Sequence, residues 1–528
     1  MRTPRPFQRP FQKSLAFLAA VLWLGAPLCE PVAANSLTHR EIVELLGAAD
    51  TSPDPSMEAL TIFESLDADD DQLLTPEELA EALDFGELLV TTLHRRFDLG
   101  SDGTLFLDEW YDTWSVWVAE DPATSSVFLL DVPDAMADIP INGIQMLGSH
   151  NSYHIQPVPE LDAPYFDVAP DLTQSIRYSH PPLSEQFSHQ GIRQIELDIL
   201  ADPEGGLYVD PWGPLLVRAF TTLDPELEPV IVIPYDAEEI AVLQQPGLKV
   251  LHLQDLDYAS QCLTFRLCLE DVRDWSLENP GHLPIFVLVE AKDDAIDTSG
   301  FAVEGLADVA WNNPPPIDAT VLAEIDSDIL AVFEPEHLLT PADVRGDYAT
   351  LREAILSEGW PTLEAAAGLV YFGLDNGGAV MDMYLALHSE LPSQILFTSS
   401  PTDADRAAFV KRNDPFATDI PELVELGFLV RTRADFDTLQ SVENDPSQRD
   451  QAFESGAQFV STDYRVPNLD YSDYSVGFED DAAVRCNIVN APEGCTLGLP
   501  EASLALLQTS CLLTLGWLGR SRKRRLRA

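Results

Sequence analysis

The chain has 528 residues, with 30 Lys and Arg against 88 Asp and Glu and a formal net charge of −58. That length exceeds one ordinary domain and suits a small module followed by a barrel-sized one. The charge excludes nucleic acid as a partner and disfavours anionic lipid surfaces, because so acidic a body repels both. Most of the acid reads as a solvated surface, and part of it as ligands for divalent cations.

Residues 1–34 read as a secretory signal. A basic stretch ends at Lys13, residues 15–24 are apolar, and Val32, Ala33 and Ala34 give a small-residue cleavage pattern. The mature chain then starts at Asn35 and is secreted or held at the cell surface. Cys29 leaves with the signal and Cys511 lies in a C-terminal apolar run. The remaining Cys262, Cys268, Cys486 and Cys495 lie close in two pairs, which reads as two short-loop disulfides made in an oxidising compartment. A four-thiolate metal site is the alternative, disfavoured by the distance between the pairs and the lack of CxxC spacing.

In a module spanning residues 35–120, a helix is expected over residues 37–48, and a calcium-loop pattern then occurs twice. Asp67, Asp69, Asp71, Thr75 and Glu78 fall at loop positions 1, 3, 5, 9 and 12; Asp98, Asp102 and Glu109 fall at positions 1, 5 and 12 of the second. The spacing resembles a paired EF-hand, with Leu74 and Leu105 at the apolar eighth positions. Gln72 stands where the sharp turn wants glycine, and Gly100 removes a carboxylate, so the first loop is the stronger calcium site. A degenerate helical pair that only packs on its neighbour is the alternative.

Residues 121–140 carry three prolines and no periodicity, and read as a linker. From 141 to 470 short apolar runs alternate with helical stretches. The runs are 144–147, 192–199, 248–253, 285–289, 369–374, 395–398, 428–430 and 459–461. This pattern implies an α/β fold, a (β/α)8 TIM-type barrel of parallel strands, with an open doubly wound sheet as runner-up. A ninth run, 230–233, is left over as insertion structure. Residues 471–498 form a polar tail closed by the second cysteine pair. Residues 499–528 hold an apolar run and a basic end, which resembles a bacterial PEP-CTERM sorting signal with Ala502 where a second proline is usual; a plain C-terminal anchor is the alternative.

Chemistry in such barrels gathers at the C-terminal strand ends. The first expected strand ends in His150 and Asn151. The second carries Glu196 and Asp198 two apart, hence on one face; the third presents His252, Asp255 and Asp257; the fourth ends in Glu290 and Lys292. Asn151, Glu196, Asp198 and Glu290 are oxygen ligands, which suit calcium rather than zinc, and the two histidines stand apart as base and acid. Each residue also has a bland reading. His252 fits a hydrogen-bonded core histidine, Glu290 a partner of Lys292, and Asp255 and Asp257 loop caps.

The segments GSHNSYH, RQIELDI, KVLHLQDLD and LPIFVLVEAKDD closely resemble the calcium-dependent phosphoinositide-specific phospholipase C family, in its bacterial secreted branch. The resemblance runs from about residue 141 to 490. It implies that His150 is a catalytic histidine and that Asn151, Glu196, Asp198 and Glu290 hold Ca2+. It also implies an enzyme that cleaves phosphatidylinositol at a membrane surface to diacylglycerol and inositol 1,2-cyclic phosphate, and the protein is expected to be a monomer. In eukaryotic relatives the second histidine follows strand two at a spacing that falls here near Asp210 and Pro211, where there is none; His252 takes the role, and His180 and His189 precede strand two. Lys292, Arg431 and Arg433 are the candidate phosphate contacts, although a surface salt bridge fits either arginine equally well. ESGAQFVSTDYRVP also resembles glycerophosphodiester phosphodiesterases, whose strand-one turn usually carries His-Arg where this chain has His150 and Asn151. A calcium-binding surface protein that keeps the barrel as an inert scaffold is the non-catalytic alternative.

Overall fold

The computed structural model describes residues 136–223, 231–297, 310–469, 471–478 and 482–492, together with Val132, Cys495 and four short N-terminal strands. The chain divides into two units, Met1–Val127 with Gly498–Ala528, and Phe128–Leu497. Ser36–Thr38 is a strand in a two-stranded sheet with Ser126–Phe128, where a helix from Leu37 was expected; serine and threonine flanking one leucine are weak helix formers. Leu73–Leu74 pairs antiparallel with Leu105–Phe106, placing Leu74 opposite Leu105. The loop positions Asp67, Asp69, Asp71, Thr75, Glu78, Asp98, Asp102 and Glu109 lie outside the described residues, as do the leader and residues 499–528. Among the described residues no helix is long and apolar enough to cross a membrane.

The second unit is a parallel barrel. Its strands are β1 (Ile144–Ser149), β2 (Ile192–Asp202), β3 (Ile285–Lys292), β4 (Val370–Leu374), β5 (Leu396–Thr398), β6 (Phe409–Lys411), β7 (Leu429–Arg433) and β8 (Phe459–Thr462). Hydrogen-bonded neighbours run β5, β4, β3, β2, β1, β8, β7, β6. Because β8 lies beside β1, with Phe459 opposite Met146, the open-sheet alternative falls. The ring is nearly closed: at the seam between β5 and β6 the Lys411 N–H donates to Ser399 Oγ at 2.9 Å in place of a strand ladder.

Seven of the eight expected runs are barrel strands. The exception is 248–253, whose strand Gly247–Val250 runs antiparallel to the outer end of β2, from Ile199 opposite Val250 to Asp202 opposite Gly247. Apolar periodicity carries no strand direction, so a hairpin arm and a barrel strand read alike. The vacant place in the ring belongs to β6, whose three residues lie in a charged stretch. In the leftover run 230–233, Ile231 and Ile233 are 65% and 80% exposed, as insertion structure would be.

Inside the barrel, alternate side chains of each strand face the axis. Phe286, Tyr371, Phe397, Phe409 and Phe459 form an aromatic floor, with Phe286 at ring-centroid distances of 4.9 Å from Tyr371, 5.1 Å from Phe409 and 4.9 Å from Phe459. Each such ring contributes about 1.5–3 kcal/mol through burial. Above the floor Gln194 crosses to Ser461, and this crossing needs a glycine at 148, where a Cβ would stand 2.1 Å from Gln194 Oε1. Met136 and Ile139, from the stretch read as a linker, are buried against the floor, and Val484–Cys486 of the tail pairs antiparallel with β1. Both disulfides form, Cys262 with Cys268 and Cys486 with Cys495.

One core histidine makes the fold's stability depend on pH. His282 donates from Nδ1 to Leu283 O at 2.7 Å, and its Nε2 lies 2.8 Å from Ser276 Oγ, which satisfies a neutral ring. Burial lowers its pKa from 6.5 to about 3. The unfolded chain therefore binds the proton first, and the stability tied to the neutral ring is complete above pH 6.5 and lost as the pH falls towards 3. Between pH 7 and pH 5 the unfolding free energy is expected to drop by about 2 kcal/mol from this group. Urea unfolding at both values should show a smaller drop in His282→Gln; an equal drop in both proteins would contradict this account.

Candidate active site

At the mouth of the barrel the segment after β1 turns sharply. Asn151 takes φ 45°, a left-handed conformation that asparagine tolerates, and the His154 N–H donates back to Asn151 O at 2.8 Å. The turn presents His150 to the end of β8. His150 Nδ1 lies 2.8 Å from Asp463 Oδ1, and Arg433 reaches Asp463 Oδ2 at 3.0 Å and His150 Nε2 at 3.2 Å. The carboxylate accepts, so Nδ1 carries the hydrogen and Nε2 offers a lone pair. Burial and the Arg433 charge lower the His150 pKa to about 3, which keeps the ring neutral. Burial would raise the Asp463 carboxyl, but His150 and Arg433 hold it well below the usual range. His180, a poorer candidate from its position, supports the turn by donating from Nε2 to His150 O at 2.8 Å.

The rim beside the outer end of β2 carries His252, delivered by the antiparallel arm Gly247–Val250. Its Nδ1 lies 2.6 Å from Asp257 Oδ2, and its side chain is 20% exposed. Burial and then Lys292 lower its pKa. The Asp257 carboxyl, which burial would raise, is held at about 2 by His154 and His252. Lys292 donates to Asp198 Oδ2 at 2.8 Å and to His252 O at 3.1 Å, so Asp198 rather than Glu290 is its partner. A pocket of about 420 Å³ opens beside His252 and Lys292, lined by apolar Ala169, Leu172, Leu253 and Ile296 and by polar Asp171, Gln254, Asp294 and Asp297. Asp255, in contrast, clamps loops: it accepts from Trp212 N at 3.1 Å and from Asn312 N and Nδ2 at 2.7 Å each.

The mouth also holds a carboxylate cluster. Oxygens of Glu196, Glu290 and Asp375 all fall within 4.8 Å of one another. Burial, with neighbouring carboxylates adding to it, raises Glu196 to about 7 and Glu290 to about 8, despite Arg431 beside Glu196. Asp198 Oδ1 and Asp375 Oδ1 are buried with no hydrogen-bond partner in the structure. Asn151 Nδ2 donates to Tyr178 Oη at 3.0 Å, which fixes the amide at the same rim. Oxygen-only donors, mutual repulsion and orphaned carboxylate oxygens fit a hard divalent cation such as calcium.

Neither barrel arginine makes a surface salt bridge. Arg431 is 1% exposed and donates to Ser461 Oγ at 2.9 Å, to Asn413 and to Glu196. Its nitrogens serve the protein, whereas Arg433 stands beside His150 at the mouth. The sequence reading missed Asp375 and Asp463, each on the inward face just past a strand end, and also Lys411, which pairs with Asp375. It noted Asp257 without its role as the carboxylate that orients His252.

The sequence model of the family described as phosphoinositide phospholipase C, Ca2+-dependent, matches residues 139–488. No curated protein matches the chain. Among solved structures it is similar to a calcium-dependent phosphoinositol-specific phospholipase C from a Pseudomonas species in its apo form, at 14% identity over 67% of this chain and 98% of that one, with a TM-score of 0.39. It is also similar to a Ca2+-dependent phosphatidylinositol-specific phospholipase C from Streptomyces antibioticus, at 17% identity over 61% and 94%, TM-score 0.35. A phosphatidylinositol-specific phospholipase C from Listeria monocytogenes is similar at 10% identity over 63% and 90%, TM-score 0.30. The family match spans the whole barrel and both walls of its mouth, and by it the chain belongs to the calcium-dependent phosphoinositide phospholipase C family.

Proposed function

We propose that the protein is an exported, calcium-dependent phospholipase C that cleaves phosphatidylinositol to diacylglycerol and inositol 1,2-cyclic phosphate. The observation that carries this reading is the pair of imidazoles, each fixed through Nδ1 on a buried carboxylate, at a barrel mouth that also holds an oxygen-ligand cluster. His150 Nε2 takes the proton of the inositol 2-hydroxyl, whose oxygen attacks phosphorus. The bond from phosphorus to the glycerol oxygen breaks, and protonated His252 Nε2 supplies the proton to that oxygen. An anionic phosphodiester beside His252 raises its proton affinity against the effect of burial and Lys292. Glu196, Asp198, Glu290 and Asn151, joined by Asp375, would hold calcium, which when bound offsets charge developing on the phosphate and acidifies the hydroxyl. Arg433 and Lys292 contact the phosphate, and the 420 Å³ pocket beside His252 receives the leaving group. His252 follows β2 in the chain, as the resemblance requires; residues 203–246 lie between them and account for the displaced spacing.

Both disulfides support an oxidising compartment, reached through the residue 1–34 signal, with residues 499–528 as sorting signal or anchor. The pairing of Leu74 with Leu105, the eighth positions of the two loops, supports a calcium-binding pair ahead of the barrel. The test is diacylglycerol release from phosphatidylinositol, against glycerol release from glycerophosphoinositol, with and without chelator. Chelation is expected to remove the activity, and Glu290→Gln to raise the half-activating calcium on the order of tenfold or more. Preference for glycerophosphoinositol, or indifference to chelator, would sink the proposal.

A further inference from the structure

His154 has no part in the scheme so far, yet it is fully buried and both its ring nitrogens are engaged. Nδ1 lies 3.0 Å from Tyr178 O and Nε2 2.7 Å from Asp257 Oδ2. The ring stacks on Tyr178 with centroids 4.2 Å apart. A backbone carbonyl and a carboxylate both only accept, so each ring nitrogen carries a hydrogen and donates. The same Asp257 oxygen is also 2.6 Å from His252 Nδ1, and the two imidazoles meet edge to face with centroids 5.6 Å apart. Asp257 Oδ1 has no partner in the structure, so the two histidines are what hold the carboxylate. Across the mouth Asp463 is shared in the same way, between His150 and Arg433.

We propose that His154 is a positioning residue for leaving-group protonation: by gripping Asp257 from the protein side it fixes the direction of the His252 Nδ1–H bond and so aims His252 Nε2 at the departing oxygen. The inference rests on the assignment of His252 as the acid. It makes a single turn serve both catalytic histidines, because His150 at its start is the proposed base and His154 at its end holds the acid's carboxylate. The charged and titratable groups around His154 are Asp257, His252, Tyr178 and His180, with Lys292 beyond His252.

A good leaving group needs no general acid, so the choice of substrate separates this role from packing. His154→Phe keeps a ring and loses the donors; His154→Gln keeps a donor. Each is compared with wild type and His252→Ala on phosphatidylinositol and on the inositol phosphodiester of 4-nitrophenol, at saturating calcium. His154→Phe is expected to lose about tenfold to a hundredfold in kcat on the lipid, with KM little changed, and less than about threefold on the nitrophenyl ester. His154→Gln should lie between it and wild type, and it decides the matter if the Phe variant does not fold. Equal losses on both substrates in the His154 variants overturn the inference. Should His252→Ala itself lose equally on both, the assignment of the acid fails instead, which is a different result.

Discussion

Replacing His150 with alanine is expected to lower kcat for diacylglycerol release by about 10³- to 10⁴-fold, the upper range for loss of a positioned general base. His150 is neutral, with Nε2 as its lone-pair nitrogen, so its proton-accepting form is the resting form. The variant keeps the Arg433 contact with Asp463, and the proposed calcium ligands lie on other side chains, so KM and half-activating calcium should change little. Asp463→Asn should reproduce much of the loss, because an amide can donate to Nδ1 and favour the tautomer with its hydrogen on Nε2. Kinetics on phosphatidylinositol with parallel thermal melts would check both variants. Wild-type turnover in His150→Ala would instead fit the inert-scaffold alternative.

Arg431→Met should show the largest effect on stability. The arginine is buried at 1% exposure and neutralises Glu196 from within the barrel, so its removal leaves a buried carboxylate beside Glu290 and Asp375. Breaking one side of such a pair costs about 3–5 kcal/mol. Calcium should return part of this loss, because a bound cation supplies the charge that Arg431 no longer does. Urea unfolding in chelator and in excess calcium is therefore expected to give a larger difference between variant and wild type in chelator. A difference unaffected by calcium would mean that Glu196 is not a ligand.

The parts of this design that were legible in the sequence share a cause. Glu196, Asp198 and Glu290 are acidic interruptions of long apolar strands, and GSHNSYH breaks an apolar run with a dense polar turn; such conflicts between burial and charge mark a site within the sequence itself. Asp375 and Asp463 carried no such conflict. Each directly follows the last residue of a short strand, in DNGG and DYR contexts where an aspartate reads as an ordinary turn residue. Only the parity of the strand, with Tyr371 and Gly373 before one and Phe459 and Ser461 before the other, points them inward. Arg431 and Arg433 had the right parity too, but a long cation near a strand end is usually solvated, and nothing local announced that Glu196 would meet Arg431 across the barrel or that Asp463 would meet Arg433 from the neighbouring strand. The fold erred at one strand, because Phe409–Lys411 is too short to carry a pattern while 248–253 carries a good one for the wrong pairing.

The hairpin that delivers His252 gives the chemistry two failure modes that can occur one at a time. His150, Glu196 and Glu290 stand on or directly beside strands of the ring that are paired on both sides, so none of them can shift without disturbing the ladder. His252 follows an annexed arm held by four residue pairs to the end of β2 and by the buried contact of Lys249 with Asp202 at 3.5 Å. Under the proposed mechanism, loosening that arm would remove leaving-group protonation and leave hydroxyl activation and the cation cluster in place. Damage there and damage to the ring would therefore leave different kinetic signatures, the first hidden by a good leaving group and the second not.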